Sequence, residues 1–240
     1  MATHFARGIL STGEPLSTRL SAACHQSARL LPTYRQARFC ASRSLLAELL
    51  FMLYGISELP EIINEANGRP VFSDRQLPRF SIAYTGNIVG VALTTEGDCG
   101  LDMELQRTVR SHDADRHNFS NNENLWINIQ HDPDEARSQL VALRRSVLKL
   151  TGEASTQLLP GSGRLRTAGS QPIEAVCDAE SLLVWSIAAT PNIGSLKVWE
   201  YDAKGGDWRS LADAQQRARE PSARLMRFTS LPMEKTLSLN

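Results

Sequence analysis

The sequence predicts an α+β protein of two pseudo-symmetric lobes, each a small antiparallel sheet packed on a long helix. Two observations carry this. A helical apolar stripe over Tyr34 to Tyr54 is followed by three short strand-like runs, and a second stripe over Ala136 to Leu150 is followed later by two more. Size agrees: 240 residues, 42% of them hydrophobic, can bury one large core or two small ones.

In chain order, Phe39, Leu45, Leu46, Leu49, Leu50 and Leu53 recur at three and four, and Gly55 closes the helix they imply. Phe80 to Tyr84, Ile88 to Leu93 and Gly100 to Glu104 read as strands, split by Thr85-Gly86-Asn87 and Thr95-Glu96-Gly97-Asp98. Such turns suit an antiparallel meander. The polar stretch Arg107 to Asn118 marks the boundary between lobes at 1–106 and 107–240. The second helix carries Leu140, Leu143, Val147 and Leu150 on one stripe and ends at Thr151-Gly152. Glu153 to Pro172 reads as a long loop, Leu182 to Ala189 and Leu196 to Tyr201 as strands, and the tail from Glu220 as frayed.

Lys+Arg 26 against Asp+Glu 26 gives no net charge and no bulk electrostatic case for a nucleic-acid or membrane-surface protein. Four cysteines, Cys24, Cys40, Cys99 and Cys177, lie far apart without a CxxC pair, as expected of reduced thiols in a cytosol. No signal peptide is expected, because the first residues lack a basic stretch followed by an apolar run. The apolar stretch from Leu45 to Tyr54 holds Glu48 and is far shorter than the roughly 20 residues a bilayer needs. A soluble, cytoplasmic monomer is expected.

Charge is nonetheless uneven. Residues 1–43 hold six arginines, Arg7, Arg19, Arg29, Arg35, Arg38 and Arg43, against Glu14 alone, a segment suited to meet anions. Lysine occurs only at Lys149, Lys197, Lys204 and Lys235, and a guanidinium fork grips phosphate or carboxylate in two-point fashion where an ammonium cannot.

Three constellations could carry chemistry. In Asp102-Met-Glu104, period two puts both carboxylates on one strand face, a hard-oxygen pair suited to Mg²⁺, or else ordinary polar residues facing water. Gly68-Arg69-Pro70 followed by Phe80-Ser-Ile-Ala-Tyr84-Thr85-Gly86 offers a cation and hydroxyls near a turn, a phosphate site or an ordinary loop. On the second helix Arg145 and Lys149 lie four apart and share a face, where basic residues also complement the helix dipole. The spread His112-Asp113-x-Asp115-x-His117, with His131 beyond, reads as a solvated loop. Trp126, Trp185, Trp199 and Trp208 read as core or rim packing.

In this order the motifs resemble the two-lobed type of the 4'-phosphopantetheinyl transferase superfamily. Its G-K-P, F-N-x-S-H-S-G, G-[VI]-D-x-E and W-x-x-K-E-A-x-x-K appear as Gly68-Arg69-Pro70, Phe80 to Gly86, Gly100-Leu-Asp102-Met-Glu104, and Val141 to Lys149. Arg38-Phe-x-x-x-Arg43 is similar to the family's coenzyme A helix, and Phe119-Ser120-x-x-Glu123 to its F-S-x-x-E segment. The resemblance covers residues 35 to 190. It implies transfer of the phosphopantetheine arm of coenzyme A to a serine of an acyl or peptidyl carrier protein. It also implies Mg²⁺ on Asp102 and Glu104, Lys149 at the diphosphate, and Arg38, Arg43, Arg69, Tyr84 and Thr85 about the cofactor. Carrier proteins of this kind are usually acidic, which the arginine-rich first segment would suit.

The departures from the pattern have chemical content. Arg145 stands where the family has the helix glutamate, Tyr84 where it has a histidine, and Val141 where it has a tryptophan. Placing Glu153-Ala154 on the family's E-A restores the acid but loses Lys149. With Arg145 retained, either Mg²⁺ still sits on Asp102 and Glu104 with water in the third place, or Arg145 stands among the carboxylates as a fixed cation. The alternative to an enzyme is a relative that binds coenzyme A or a carrier protein without transfer.

Overall fold

The computed structural model describes residues 2–10, 13, 15–106 and 119–231. The first part of the chain forms β1 (Ala2–Ile9), α1 (Ala22–Arg29), α2 (Thr33–Tyr54), β2 (Ile62–Asn64), β3 (Pro70–Phe72), β4 (Arg79–Thr85), β5 (Ile88–Thr94) and β6 (Asp98–Leu105). Then follow α3 (Asn121–Asn128), α4 (Pro133–Thr151), β7 (Gln157–Leu159), β8 (Arg164–Arg166), β9 (Glu174–Glu180), β10 (Leu183–Thr190), β11 (Ser195–Asp202), β12 (Asp207–Leu211), α5 (Ala214–Arg217) and β13 (Met226–Thr229). The α+β class holds. Arg107 to Asn118, with His112, Asp113, Asp115 and His117, lies outside the described residues.

Two large sheets stack face to face, and α2 and α4 cover their outer faces. One sheet has the order β12-β11-β1-β5-β4 and the other β6-β10-β9-β13-β8-β7, with β2 and β3 forming a separate hairpin. Phe5 and Ala92 of the first sheet meet Leu101, Met103, Trp185 and Ile187 of the second in the layer between them. Alternate residues of the same strands turn outward. Ala6, Val91 and Leu93 pack under Leu45, Leu46 and Leu49 of α2, and Val184 and Ala188 under Leu140, Leu143 and Val147 of α4. A strand buried on both faces needs a continuous apolar run, which is what Ile88 to Leu93 supplies.

The expected meander ends at its second strand. β4 and β5 pair antiparallel, but β6 crosses to the other sheet and pairs with β10. Its free edge faces β4, where hydroxyls replace a ladder: the Leu101 and Leu105 amides donate to Ser81 Oγ at 3.0 Å and Thr85 Oγ1 at 3.2 Å. A buried amide left without such an acceptor would cost about 1–3 kcal/mol. In the other direction β11 and β12 return to the first sheet, β11 lying parallel to β1. Both sheets therefore draw strands from either side of residues 106 and 107, and the layers do not follow the division expected there.

Two further expectations are corrected. The stretch from Glu153 to Pro172 holds the β7–β8 hairpin, closed through a 3-10 turn at Pro160–Ser162. The segment after Glu220 contains β13, seated between β9 and β8.

Candidate active site

The site begins at Gly100. A Cβ there would stand 2.1 Å from the Ser146 carbonyl oxygen and 2.8 Å from the Leu150 amide nitrogen, so only glycine lets α4 lie this close to β6. Behind it, Ser146 Oγ and Ser186 Oγ share a buried hydrogen bond of 2.9 Å that ties α4 to β10. Period two along β6 then places Asp102 and Glu104 on the face that Gly100 opens. The 3.6-residue turn of α4 sets Arg145 and Lys149 over them.

Lys149 Nζ donates to Asp102 Oδ1 and to the Leu101 carbonyl oxygen, both at 2.8 Å. An ammonium has three N–H groups, so one is left for an anion. Arg145 Nη1 pairs with Glu104 Oε1 and stands 3.9 Å from Asp102 Oδ2. That second carboxylate oxygen is buried without a hydrogen-bond partner. Burial pushes the Asp102 carboxyl above the ordinary carboxylate range, and Lys149 and Arg145 pull against the shift. Four of the residues singled out in the sequence thus converge on one patch.

A cavity of about 370 Å³ lies beside the first half of α2, lined by Leu31, Tyr34, Arg35, Arg38, Ser42 and Arg43, with Tyr84 of β4. Arg38 donates to the Gly86 carbonyl oxygen at 3.0 Å and stands over the Tyr84 ring. Arg43 donates to Ser42 Oγ at 3.1 Å and stacks on Phe39. Burial pulls the Arg43 guanidinium below the usual arginine range, yet it stays charged. Among the described residues no carboxylate pairs with Arg35, Arg38 or Arg43, unlike Arg7 and Arg19 of the same basic segment, which pair with Glu180 and Glu48. Uncompensated guanidinium groups beside aromatic rings suit a phosphorylated ligand. The Thr85 hydroxyl, bonded to the Leu105 amide, joins the strand that carries Tyr84 to the one that carries Glu104.

Arg69 departs from its expected place. Its guanidinium chelates both oxygens of Asp98 and donates to the carbonyls of Cys99, at 2.8 Å, and Leu150, at 3.4 Å. Four of its five N–H groups are used in clamping the start of β6 to the end of α4, which makes it a structural clamp rather than a phosphate ligand. Glu153 accepts the amides of Ala168 and Gly169 and so holds a loop. Glu123 closes the Ser120 capping box and takes Arg144 on both oxygens, which anchors α3 to α4.

Sequence reading missed Tyr34 and Arg35 as cavity residues, although Leu31, Arg35, Arg38 and Ser42 follow helical spacing. Ser81, one of the hydroxyls the sequence offered near that turn, accepts the Leu101 amide at the edge of β6.

The Mg²⁺ expected on Asp102 and Glu104 does not fit the residues present. Among the described residues the donor set is two carboxylates that already pair with Lys149 and Arg145, with a guanidinium nitrogen on Glu104 and within ion-pair distance of Asp102 Oδ2.

No family model matches this chain. The uncharacterized protein YieE of Escherichia coli is 59% identical over 250 aligned positions that cover the whole of both chains. The 4'-phosphopantetheinyl transferase AcpT of Escherichia coli is 34% identical over 73 residues, 30% of this chain and 34% of the relative. AcpT of Salmonella typhimurium is 25% identical over 163 residues, 65% of this chain and 79% of the relative.

Proposed function

We propose that this chain, which belongs to the family of the uncharacterized protein YieE of Escherichia coli, is a 4'-phosphopantetheinyl transferase. It would move the phosphopantetheine arm of coenzyme A to a serine of an apo acyl or peptidyl carrier protein. The observation that carries this reading is the convergence of Lys149 and Arg145 of α4 on Asp102 and Glu104 of β6. The partial likeness to AcpT supports the same superfamily.

In this reading Arg38 and Arg43 receive the nucleotide phosphates in the α2 cavity, and Lys149 offers its remaining N–H to the diphosphate. The carrier serine oxygen forms a bond to the β-phosphorus while the bond from that phosphorus to the bridging oxygen breaks. Adenosine 3',5'-bisphosphate leaves with the electron pair and takes up the serine proton. Negative charge grows on the departing oxygens, and cations already fixed in place stabilise it without reorganising. The arginines of α2 that meet no carboxylate among the described residues also suit an acidic carrier surface. Among the described residues no helix is long and apolar enough to cross a membrane.

One observation favours a second reading, a relative that binds coenzyme A or a carrier without transfer: Arg145 stands where the superfamily pattern has an acid. Incubation with coenzyme A and a panel of apo carrier domains, with and without Mg²⁺, separates the two. The transferase reading expects intact-protein mass spectra to show one phosphopantetheine added to a carrier. Binding of coenzyme A with no mass gain on any carrier leaves the second.

A further inference from the structure

We propose that Arg145 is the resident cation of this site: its guanidinium holds the place a divalent metal would take between Asp102 and Glu104, and the chain binds its diphosphate ligand without Mg²⁺. The inference rests on the transferase reading for the identity of that ligand.

Position comes first. Arg145 Nη1 is paired with Glu104 and lies 3.9 Å from Asp102 Oδ2. That oxygen is buried with no hydrogen-bond partner, so the guanidinium is the compensating charge it faces.

Charge follows. Among the described residues Lys149 and Arg145 both pair with these two carboxylates, and a divalent ion added between the acids would meet Arg145 as a like charge within the shell it has to occupy. Geometry completes the case. Arg145 is carried by the helix that Gly100 allows against β6, so its backbone is set by the same close approach that fixes Lys149. With one nitrogen on Glu104, the guanidinium keeps further N–H groups in a planar fork, the arrangement that grips two phosphate oxygens at once. The half-exposed side chain leaves that fork open to a ligand.

Calorimetry with manganese(II) alone, and with coenzyme A in EDTA or in excess Mg²⁺, tests this. The wild type is expected to bind no Mn²⁺ and to bind coenzyme A equally in EDTA and Mg²⁺. Arg145→Glu should gain Mn²⁺ binding. Arg145→Gln, checked for its fold by circular dichroism, should bind coenzyme A about tenfold more weakly or worse in EDTA. Mn²⁺ binding by the wild type that disappears in Asp102→Ala overturns the inference, as does unchanged coenzyme A affinity of Arg145→Gln in EDTA. If the wild type binds no coenzyme A under either condition, the transferase reading fails, and the Mn²⁺ measurements on wild type and Arg145→Glu still decide what occupies the site. Should Arg145→Glu fail to fold, the wild-type and Arg145→Gln measurements decide it.

Discussion

Gly100 and Ser146 are in backbone contact: a methyl group on Gly100 would lie 2.1 Å from the Ser146 carbonyl oxygen. This approach of α4 to β6 sets the depth at which Lys149 and Arg145 meet the carboxylates. Gly100→Ala should therefore cost about 1–3 kcal/mol in denaturant unfolding, because backbone rather than a flexible side chain must give way. It should also weaken coenzyme A binding, although residue 100 touches no ligand. Wild-type stability and affinity in this variant would mean that the close approach positions nothing.

Lys149→Ala removes the hydrogen-bonded partner of a buried carboxylate and the cation assigned to the leaving diphosphate. Transfer should fall by about 100-fold or more in kcat, since the lost contact strengthens as charge develops. The stability loss should be smaller than for a fully buried pair, because the ammonium is 38% exposed and screened by solvent. Steady-state kinetics and urea melts on the same preparation separate the two effects.

Burial raises the Asp102 carboxyl above its usual range. A folded-state value above the unfolded one means the folded chain holds the proton more tightly. The stability this contributes is therefore present below about pH 4 and is lost as pH rises through the folded-state value. Asp102→Asn cannot ionise. The difference in Tm between Asp102→Asn and wild type should shift in the variant's favour as pH rises from about 4 to about 7. A drift the other way would show that Lys149 and Arg145 outweigh burial.

Arg38→Ala and Arg43→Ala should each raise the Kd for coenzyme A about tenfold, the loss expected for a charge-assisted hydrogen bond. Added salt should narrow the difference from wild type as screening grows. Titration calorimetry at two ionic strengths checks this. Unaltered Kd values would move the nucleotide out of the α2 cavity.

Glu123→Gln should destabilise the fold, because Arg144 would lose the buried carboxylate it now holds through both oxygens. Coenzyme A affinity should stay as in wild type in the chain that remains folded.

Local pattern made part of this molecule legible in its sequence. The stripe of Leu45, Leu46, Leu49 and Leu50 could bury itself only as a helix, and the turns flanking β4 to β6 marked the strands between them. Asp102 with Glu104, and Arg145 with Lys149, were readable as facing pairs because period two and a four-residue step each fix a face. What stayed hidden depends on partners far along the chain. β1 finds its place through a parallel pairing of Ala2–Gly8 with Ser195–Tyr201. β9 carries Glu174, Asp178 and Glu180, poor strand formers held by Arg227, Arg217 and the Trp185 indole N–H. Arg69 looked like a phosphate ligand because its real partner, Asp98, lies 29 positions away. The contact of Arg145 with Glu104 depends on how closely α4 lies on β6, a depth that no local pattern in the sequence gives.

Whether the α4–β6 patch carries the chemistry is read from release of adenosine 3',5'-bisphosphate from coenzyme A in a single turnover with an apo carrier domain. It is compared among wild type, Lys149→Ala and Asp102→Ala. One bisphosphate should be released for each carrier modified by the wild type, and the rate should be at least about 100-fold lower in both variants. Equal rates in all three proteins would contradict this, because the chemistry would then lie outside the α4–β6 patch.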